Sequence, residues 1–177
     1  MNYWFEGLVA FHVAIVYATF AEYTMHRLMH ARLVFGDQHA MHHREGTGNS
    51  WFEEFLNYFI PACSVLWVGF LYSFYAGLSF AIGGTFAAAF SAYAHQLQHE
   101  QPELVFWLPR PVHYLHHEDN MWNYNFGISV DIWDRIFGTY KAADWVPVSK
   151  PSQFPLRSFV QIRWFSRAPK SFQSVDP

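Results

Sequence analysis

The residues of this 177-residue chain with the clearest capacity for chemistry are its histidines, because ten of the eleven fall into four short clusters. In chain order the clusters are His26 and His30; His39, His42 and His43; His95 and His99; and His113, His116 and His117. Spacings of three and four residues place side chains on one face of a helix, so two imidazoles one turn apart can bind the same metal ion. Ten imidazoles exceed what one ion needs, so the pattern predicts two metal ions.

The histidine triple HxxHH occurs twice, at residues 39–43 and 113–117. At a histidine content of about 6%, about 0.04 copies are expected by chance. Imidazole binds zinc, copper, iron and nickel, so the ligand type leaves the metal open. A structural zinc site uses four ligands, often cysteines, whereas the single cysteine, Cys63, lies in an apolar run where a packed thiol is expected. A carboxylate-rich di-iron bundle is disfavoured because its Glu-x-x-His pairs are absent.

Three apolar runs, residues 4–23, 55–75 and 78–97, are each long enough to cross a membrane as a helix of about 20 residues. Ala76 and Gly77 alone separate the last two runs, which predicts a tight helical hairpin. The first run lacks a basic start and a cleavage site, so we interpret it as an anchor and not as a removed signal peptide. Charged residues make up only 14% of the chain, against about 25% in soluble domains. This composition favours membrane helices over the buried helices of a soluble protein.

The distribution of basic residues predicts the orientation in the membrane. All eleven lysines and arginines lie in residues 27–44 or 110–170, and three spans place both regions on one side. The positive-inside rule makes that side cytoplasmic and puts the N-terminus on the non-cytoplasmic side. All four histidine clusters then lie at the cytoplasmic face. The expected fold class is an all-α integral membrane protein with three transmembrane helices and a cytosolic, helical, histidine-rich dimetal cap.

Two regions are expected along the chain: a membrane domain at residues 1–144 and a C-terminal tail at residues 145–177. The tail is rich in proline, serine, arginine and aromatic residues. We expect an extended segment, either solvated or at the lipid surface with Trp164, Phe165 and Arg167 at the interface. The net charge of −3 gives no indication of nucleic acid as a partner.

Acidic residues near the histidines are candidates to orient metal ligands, since a metal-bound imidazole usually donates its second N–H to a carboxylate or carbonyl. Glu22 precedes His26 by one helical turn and is such a candidate, with snorkelling to the interface as the alternative. Glu118 and Asp119 follow the last cluster and either orient a ligand or are solvated. His12 lies inside the first apolar run, away from the clusters, and a structural role is expected for it.

The clusters and their flanking residues resemble the fatty acid hydroxylase and sterol desaturase superfamily, most closely its fatty acid 2-hydroxylase branch. The segment EYTMHR at residues 22–27, with His30, is similar to the first motif of that branch, and the other clusters match its later boxes in the same order. The stretch NFGIS at 125–129, followed by WDR at 133–135 and FGTY at 137–140, resembles the sequence after the last box. The resemblance extends over residues 22–140.

The resemblance implies a helical membrane anchor, a cytosolic dimetal site, and the hydroxylation or desaturation of lipid C–H bonds with O2. It carries over as metal ligands His26, His30, His39, His42, His43, His95, His99, His113, His116 and His117. Asn125 joins the candidates for orienting a ligand, and no catalytic residue beyond the ligands is indicated. Two iron ions are expected, with zinc as an alternative occupant in purified or crystallised protein. Without a fused cytochrome domain, a separate electron donor of the ferredoxin or cytochrome type is expected.

The predicted function is therefore that of a membrane-bound, O2-dependent di-iron hydroxylase of a fatty acyl or sterol-like lipid. A lipid desaturase or a carotenoid ring hydroxylase of the same histidine-box type remains an alternative. A non-catalytic membrane metal-binding or transport protein would need polar ligands within its spans, where the sequence offers only His12 and Glu6. A haem protein needs one or two axial ligands, which would leave the histidine triples unexplained.

Overall fold

In the computed structural model, which describes residues 2–46, 49–146 and 154–166, every regular element of the described chain is helical. Two long helices dominate, α1 (Tyr3–His30) and α4 (Phe74–Glu100). Both are long and apolar enough to cross a membrane. Only 17% of the apolar window of α1 is buried, so its apolar side chains face outward, unlike those of the core helix of a soluble protein. The expected all-α class is confirmed for the described residues.

Helices α1 and α4 lie side by side and run in the same direction. At their N-terminal ends the rings of Tyr3 and Tyr75 are 4.7 Å apart, and Ser73 Oγ donates to Glu6 Oε2 at 3.2 Å. The backbones approach closely because Gly83 of α4 has no side chain, and a Cβ there would lie 2.6 Å from the Phe11 carbonyl oxygen. The parallel arrangement brings the C-terminal turns of both helices, each with a histidine pair, to one end of the molecule.

Because α1 and α4 are parallel, the chain that connects them must run back along them. It does so in several short helices and turns. Helix α2 (Gly36–Glu45) follows α1, and α3 (Trp51–Ala62) starts the return at a capping box formed by Ser50 and Glu53. Near the histidine end Trp51 Nε1 donates to the Ala89 carbonyl at 3.1 Å, whereas further along Leu66 packs on Gly84. The segment therefore runs antiparallel to α4.

The second apolar run differs from its prediction, because it is not one continuous helix. Helix α3 ends at Ala62, and after a series of turns the chain forms a short 3₁₀ helix, Val68–Leu71. Pro61 in the last turn of α3 cannot donate a backbone hydrogen bond and disfavours continuation. Local bonds then hold the turns: Ser64 Oγ donates to the Pro61 carbonyl and Trp67 Nε1 to the Ser64 carbonyl, both at 2.7 Å.

The predicted hairpin at Ala76 and Gly77 is also corrected. Both residues lie inside the first turns of α4 and are buried. A Cβ at Gly77 would lie 2.3 Å from the ring of Phe70, so this glycine lets the 3₁₀ helix pack against α4. The change of direction occurs at Tyr72 and Ser73, where Ser73 caps α4 by accepting the N–H of Ala76 at 3.1 Å.

A compact cap covers the end of α1 and α4 that carries the histidines. It contains α2, a 3₁₀ helix at Pro102–Leu104, α5 (Val112–Glu118) and α6 (Ile132–Ile136). Its small apolar core consists of Leu97, Leu104, Val105, Leu108, Val112 and Ile162. The loop between α5 and α6 runs back against α1 and contacts His26 there.

The described part of the C-terminal tail, residues 154–166, packs on this cap. Its Leu156–Val160 segment is a 3₁₀ helix. Tyr93 Oη donates to the Phe159 carbonyl at 2.7 Å, and the N–H of Trp51 donates to the Arg163 carbonyl at 2.7 Å. The tail was expected to be extended and either solvated or at the lipid surface. Residues 154–166 are instead docked on the protein, because their backbone carbonyls accept hydrogen bonds from α3 and α4. Arg167, predicted at the lipid interface, lies outside the described residues.

Candidate metal centre

The first group of histidines contains five side chains from α1, α2 and α5. They are His26, His30, His39, His43 and His116, and their ligand nitrogens all lie within 4.8 Å of one another. His30 Nε2 lies 2.8 Å from His39 Nε2 and 2.9 Å from His116 Nε2. Five Nε2 atoms therefore point to one small volume, the arrangement that a bound cation requires.

The second group contains His42, His99, His113 and His117, whose ligand nitrogens also lie within 4.8 Å of one another. His95 lies beside this group, with its ring centroid 4.6 Å from that of His113. The two groups adjoin, since the rings of His43 and His117 stack with centroids 4.0 Å apart. The structure thus brings all ten clustered histidines to one centre and nine of them into two ligand groups. Their binding of metal stays a prediction.

The environment of these imidazoles fits metal ions. Both ring nitrogens of His117 are buried, and neither has a hydrogen-bond partner among the described residues. Buried nitrogens without partners cost about 1–3 kcal/mol each, a cost that coordination of a cation removes. Burial, together with neighbouring imidazoles, lowers the pKa of His43 to about 3, and burial lowers that of His116 to about 4. The rings are therefore neutral at pH 7, which is the form that binds metal.

Acidification from pH 7 to pH 5 is expected to lower the melting temperature of the metal-free protein. A histidine in the unfolded chain has a pKa of about 6.5, whereas His43 and His116 keep pKa values of about 3 and about 4 in the fold. At a pH between the unfolded-state and folded-state pKa values, the unfolded chain binds protons that the folded chain does not. The free energy of unfolding therefore decreases as the pH is lowered. The stabilisation is complete above pH 6.5 and is lost progressively towards pH 4.

Thermal unfolding of chelator-treated protein in detergent, measured from pH 5 to pH 8, tests this dependence. The variant His12→Ala serves as a control and should show the same slope, because His12 is exposed on α1, outside both histidine groups, and its ring bonds the Leu8 carbonyl of its own helix at 2.7 Å. A melting temperature that stays constant or rises on acidification would contradict the burial of neutral histidines.

Two backbone carbonyls orient ligands of the first group. His26 Nδ1 lies 2.6 Å from the Phe126 carbonyl oxygen, and His116 Nδ1 lies 2.6 Å from that of Tyr124. Because a carbonyl can only accept, Nδ1 carries the hydrogen in both rings and Nε2 keeps its lone pair for a metal. Both carbonyls belong to the loop between α5 and α6. These partners could not be predicted from the sequence, because every residue has a backbone carbonyl and residue type does not indicate which one will face a histidine.

The acidic candidate Glu22 does not contact a histidine directly. The Glu22 carboxylate is buried and accepts the N–H groups of Ile128 and Ser129 at 2.9 and 3.0 Å, together with the Ser91 hydroxyl at 2.5 Å. Glu22 therefore holds the loop that orients His26 and does not touch the ring itself.

The other candidates are further removed. The amide of Asn125 pairs with the backbone of Lys141 through two hydrogen bonds of 2.8 Å, which fastens the loop at a residue with a φ of 57°. Glu118 and Asp119 are exposed, and in the described chain no hydrogen bond or ion pair joins them to a histidine. The solvated alternative fits both.

Two buried carboxylates near the histidines were missed in the sequence. Glu54 of α3 places Oε1 at 3.5 Å from His95 Nδ1 and accepts the Asn49 amide at 2.7 Å. Asp134 of α6 accepts the backbone N–H groups of Phe126 and Gly127 at 2.8 and 2.7 Å. An acid in the first turn of an apolar helix was the available signal for Glu54. For Asp134 the signal was its place within the motif that follows the last histidine cluster.

Comparison with known proteins agrees with this geometry. A family model described as fatty acid hydroxylase matches residues 11–139, more than two thirds of the chain. The matched region contains all ten clustered histidines, α1 from its third turn, all of α4 and the loop that binds His26 and His116. Searches of the curated proteins and of the solved structures found no match. With its two apolar helices and a histidine cluster that can bind metal, the chain belongs to the fatty acid hydroxylase family.

Proposed function

We propose that this protein is a membrane-bound hydroxylase that uses two iron ions and O2 to oxidise a C–H bond of a lipid chain. One observation carries the proposal: two adjoining groups of histidine nitrogens converge at the end of two apolar helices. Family membership makes oxidoreductase chemistry the expected use of such a centre. The 2-hydroxylase branch, suggested by the first motif, is the proposed subfamily.

The first ion would be held by His26, His30, His39, His43 and His116, and the second by His42, His99, His113 and His117. His95 would complete the second set, with Glu54 orienting its ring. When bound, the metal pair supplies the activation of O2. In the overall reaction one oxygen atom enters the C–H bond and the other leaves as water, with two electrons and two protons from a separate donor of the ferredoxin or cytochrome type.

The chain itself supplies orientation, shielding and access. Trp122 lies with its ring 4.3 Å from that of His30, so it covers one side of the first group and restricts water there. The exposed apolar surface of α1, which includes Leu8, Val13 and Val16, faces the region from which a lipid chain would arrive. The histidine pair of α1 lies at the C-terminal end of the same helix, so a lipid chain lying along α1 would have one end close to the metal centre.

The proposed topology keeps the histidine cap and the C-terminus in the cytoplasm and the N-terminus on the other side, because the basic residues that the structure describes lie on the cap side. The broken segment from α3 to Leu71 would make the third crossing. Irregular backbone is tolerated in a bilayer where protein covers it, and this segment packs along α4 through Leu66, Gly69 and Phe70.

Purified protein loaded with ferrous iron and embedded in lipid nanodiscs is expected to hydroxylate a lipid chain in the presence of O2 and a reductant-coupled ferredoxin. With ¹⁸O2, mass spectrometry should find one heavy oxygen per product molecule, and protein kept anaerobic or loaded with zinc should give none. Hydroxylation of the carbon next to the carboxyl group would place the protein in the 2-hydroxylase branch. Loss of two hydrogens without ¹⁸O would identify a desaturase, and bound metal without any product would favour a metal-binding protein.

A further inference from the structure

A buried carboxylate, that of Asp134, lies one peptide group away from the ring of His26. The peptide joins Phe126 to Gly127. Its carbonyl oxygen accepts the hydrogen bond of His26 Nδ1 at 2.6 Å, and its N–H donates to Asp134 Oδ2 at 2.7 Å. Asp134 and His26 are buried, so water does not compete for either bond. Carboxylate, peptide and imidazole form one chain of hydrogen bonds that ends at the Nε2 atom facing the first histidine group.

We propose that Asp134 is a positioning residue that acts through this peptide to orient His26 and to strengthen its Nε2 as a metal ligand. An anion that accepts the N–H of a peptide polarises that peptide and makes its carbonyl a better acceptor. A better acceptor at Nδ1 fixes the ring and raises the basicity of Nε2, as a directly bonded carboxylate does in other metal sites. The inference rests on the proposed metal binding by the first group.

The negative charge of Asp134 would be compensated by the metal ion of the first histidine group. The carboxylate accepts three hydrogen bonds from neutral donors, the N–H groups of Phe126 and Gly127 and the hydroxyl of Thr139, which is the pattern of an ionised acid. Among the described residues no lysine or arginine forms an ion pair with it. A buried anion without a partner is costly, whereas a metal ion held by neutral imidazoles keeps its full positive charge. Each charge therefore compensates the other.

The loop between α5 and α6 is held in place by hydrogen bonds from its backbone. Four consecutive N–H groups, those of residues 126–129, donate to two buried carboxylates, the first two to Asp134 and the last two to Glu22. A Cβ at Gly127 would lie 2.1 Å from the Val130 carbonyl oxygen and 2.9 Å from Asp134 Oδ2, so only glycine fits at this position of the loop. The Phe126 carbonyl is thereby held in the direction of His26.

The second ligand that binds this loop provides an internal comparison. His116 Nδ1 bonds the Tyr124 carbonyl, and the N–H of the same peptide, that of Asn125, donates to the neutral carbonyl of Thr139 at 2.9 Å. Both rings thus bond a carbonyl at 2.6 Å, but only the peptide that holds His26 is backed by a negative charge. The effect of removing that charge should be confined to the first histidine group.

The test measures Co²⁺ affinity by competition with a chelator in two backgrounds that each keep one histidine group. His117→Ala retains the first group, and His43→Ala retains the second. Adding Asp134→Asn is expected to weaken Co²⁺ binding about 10–100-fold in the His117→Ala background, and less than twofold in the His43→Ala background. The ligand-field spectrum of Co²⁺ should change in the first background alone. The control is Asp131→Asn, since Asp131 pairs with Arg135 at the surface, and it should change neither affinity.

Equal weakening in both backgrounds would assign Asp134 a general structural role and overturn the inference, as would unchanged affinity in both. If Asp134→Asn yields too little folded protein, Asp134→Glu, which keeps the charge and displaces the acceptor, should give the same selective loss at smaller size; no selectivity there would equally overturn the inference. Failure of the proposed metal binding is distinguishable, because the His117→Ala and His43→Ala backgrounds would then bind no Co²⁺ before Asp134 is changed. A protein that binds Co²⁺ in both backgrounds but gives no product in the ¹⁸O2 assay would contradict the proposed function and leave this inference standing.

Discussion

Replacement of His43 or of His117 by alanine is expected to remove one of the two bound metal ions and to abolish lipid oxidation. His43 belongs to the first histidine group and His117 to the second, and their rings stack at the junction between the groups. Each substitution removes one ligand from a proposed set of five, counting His95 in the second set, so the affected group should lose its ion. Because the proposed reaction uses both ions, turnover should fall to the background of metal-free protein, although the other group keeps its ion.

Metal analysis of the purified variants should give about one ion per chain where the unchanged protein gives two, and product analysis should give no hydroxylated lipid. The matched control is His12→Ala, which removes an imidazole from the same membrane protein at an exposed position on α1. It should keep both ions and full turnover. If metal content and activity persist in both His43→Ala and His117→Ala, the two-group centre is wrong.

Substitution of Gly83 by valine is expected to destabilise the fold and to weaken both histidine groups together. A Cβ at this position would lie 2.6 Å from the Phe11 carbonyl oxygen and 3.2 Å from the Ala14 side chain. The obstacle is backbone, so α1 and α4 must move apart to accept the larger residue. Overpacking of this kind costs about 1–3 kcal/mol, which corresponds to a fall in melting temperature on the order of 5 °C for a chain of this size.

The separation should reach the metal centre, because α1 carries one histidine pair and α4 the other. Thermal unfolding in detergent and Co²⁺ titration of the same samples measure both effects. Ala81→Val introduces the same side chain two residues earlier, on the partly exposed outer side of α4, and should leave melting temperature and affinity close to those of the unchanged protein. A Gly83→Val variant with normal stability would show that the two helices do not depend on this close contact.

The histidine centre was largely predictable from the sequence, for a local reason. Spacing within a helix fixes which side chains share a face, so pairs such as His26 and His30 could be joined without knowing the fold. Helices α1 and α4 were visible as apolar runs long enough to cross a membrane, because a membrane span requires a certain length and composition. The interruption of the helix after Ala62 was not predicted. An apolar composition indicates that a segment lies in an apolar environment, but it does not show whether the backbone hydrogen bonds of a helix continue without a break. Pro61 was the available signal.

The contacts that orient the ligands could not be predicted from residue type. Glu22 has the right spacing to reach His26, yet its carboxylate bonds the backbone of a loop more than 100 residues away in sequence. The choice between these partners depends on where that loop packs. Glu54 and Asp134 likewise acquire their roles only when α3 and α6 come to lie beside the centre.

The sequence by itself determined the kind of chemistry, the number of candidate ligands and the two long helices, because these depend on side-chain type, spacing and local hydrophobicity. Only the tertiary structure decided how nine of the ten clustered histidines divide into two groups, with His95 beside the second, and which carbonyls and carboxylates contact them. The physical reason is that such partners are backbone groups or distant acids. Their positions follow from the packing of parallel helices α1 and α4 through Gly83, and short-range patterns carry no record of that packing.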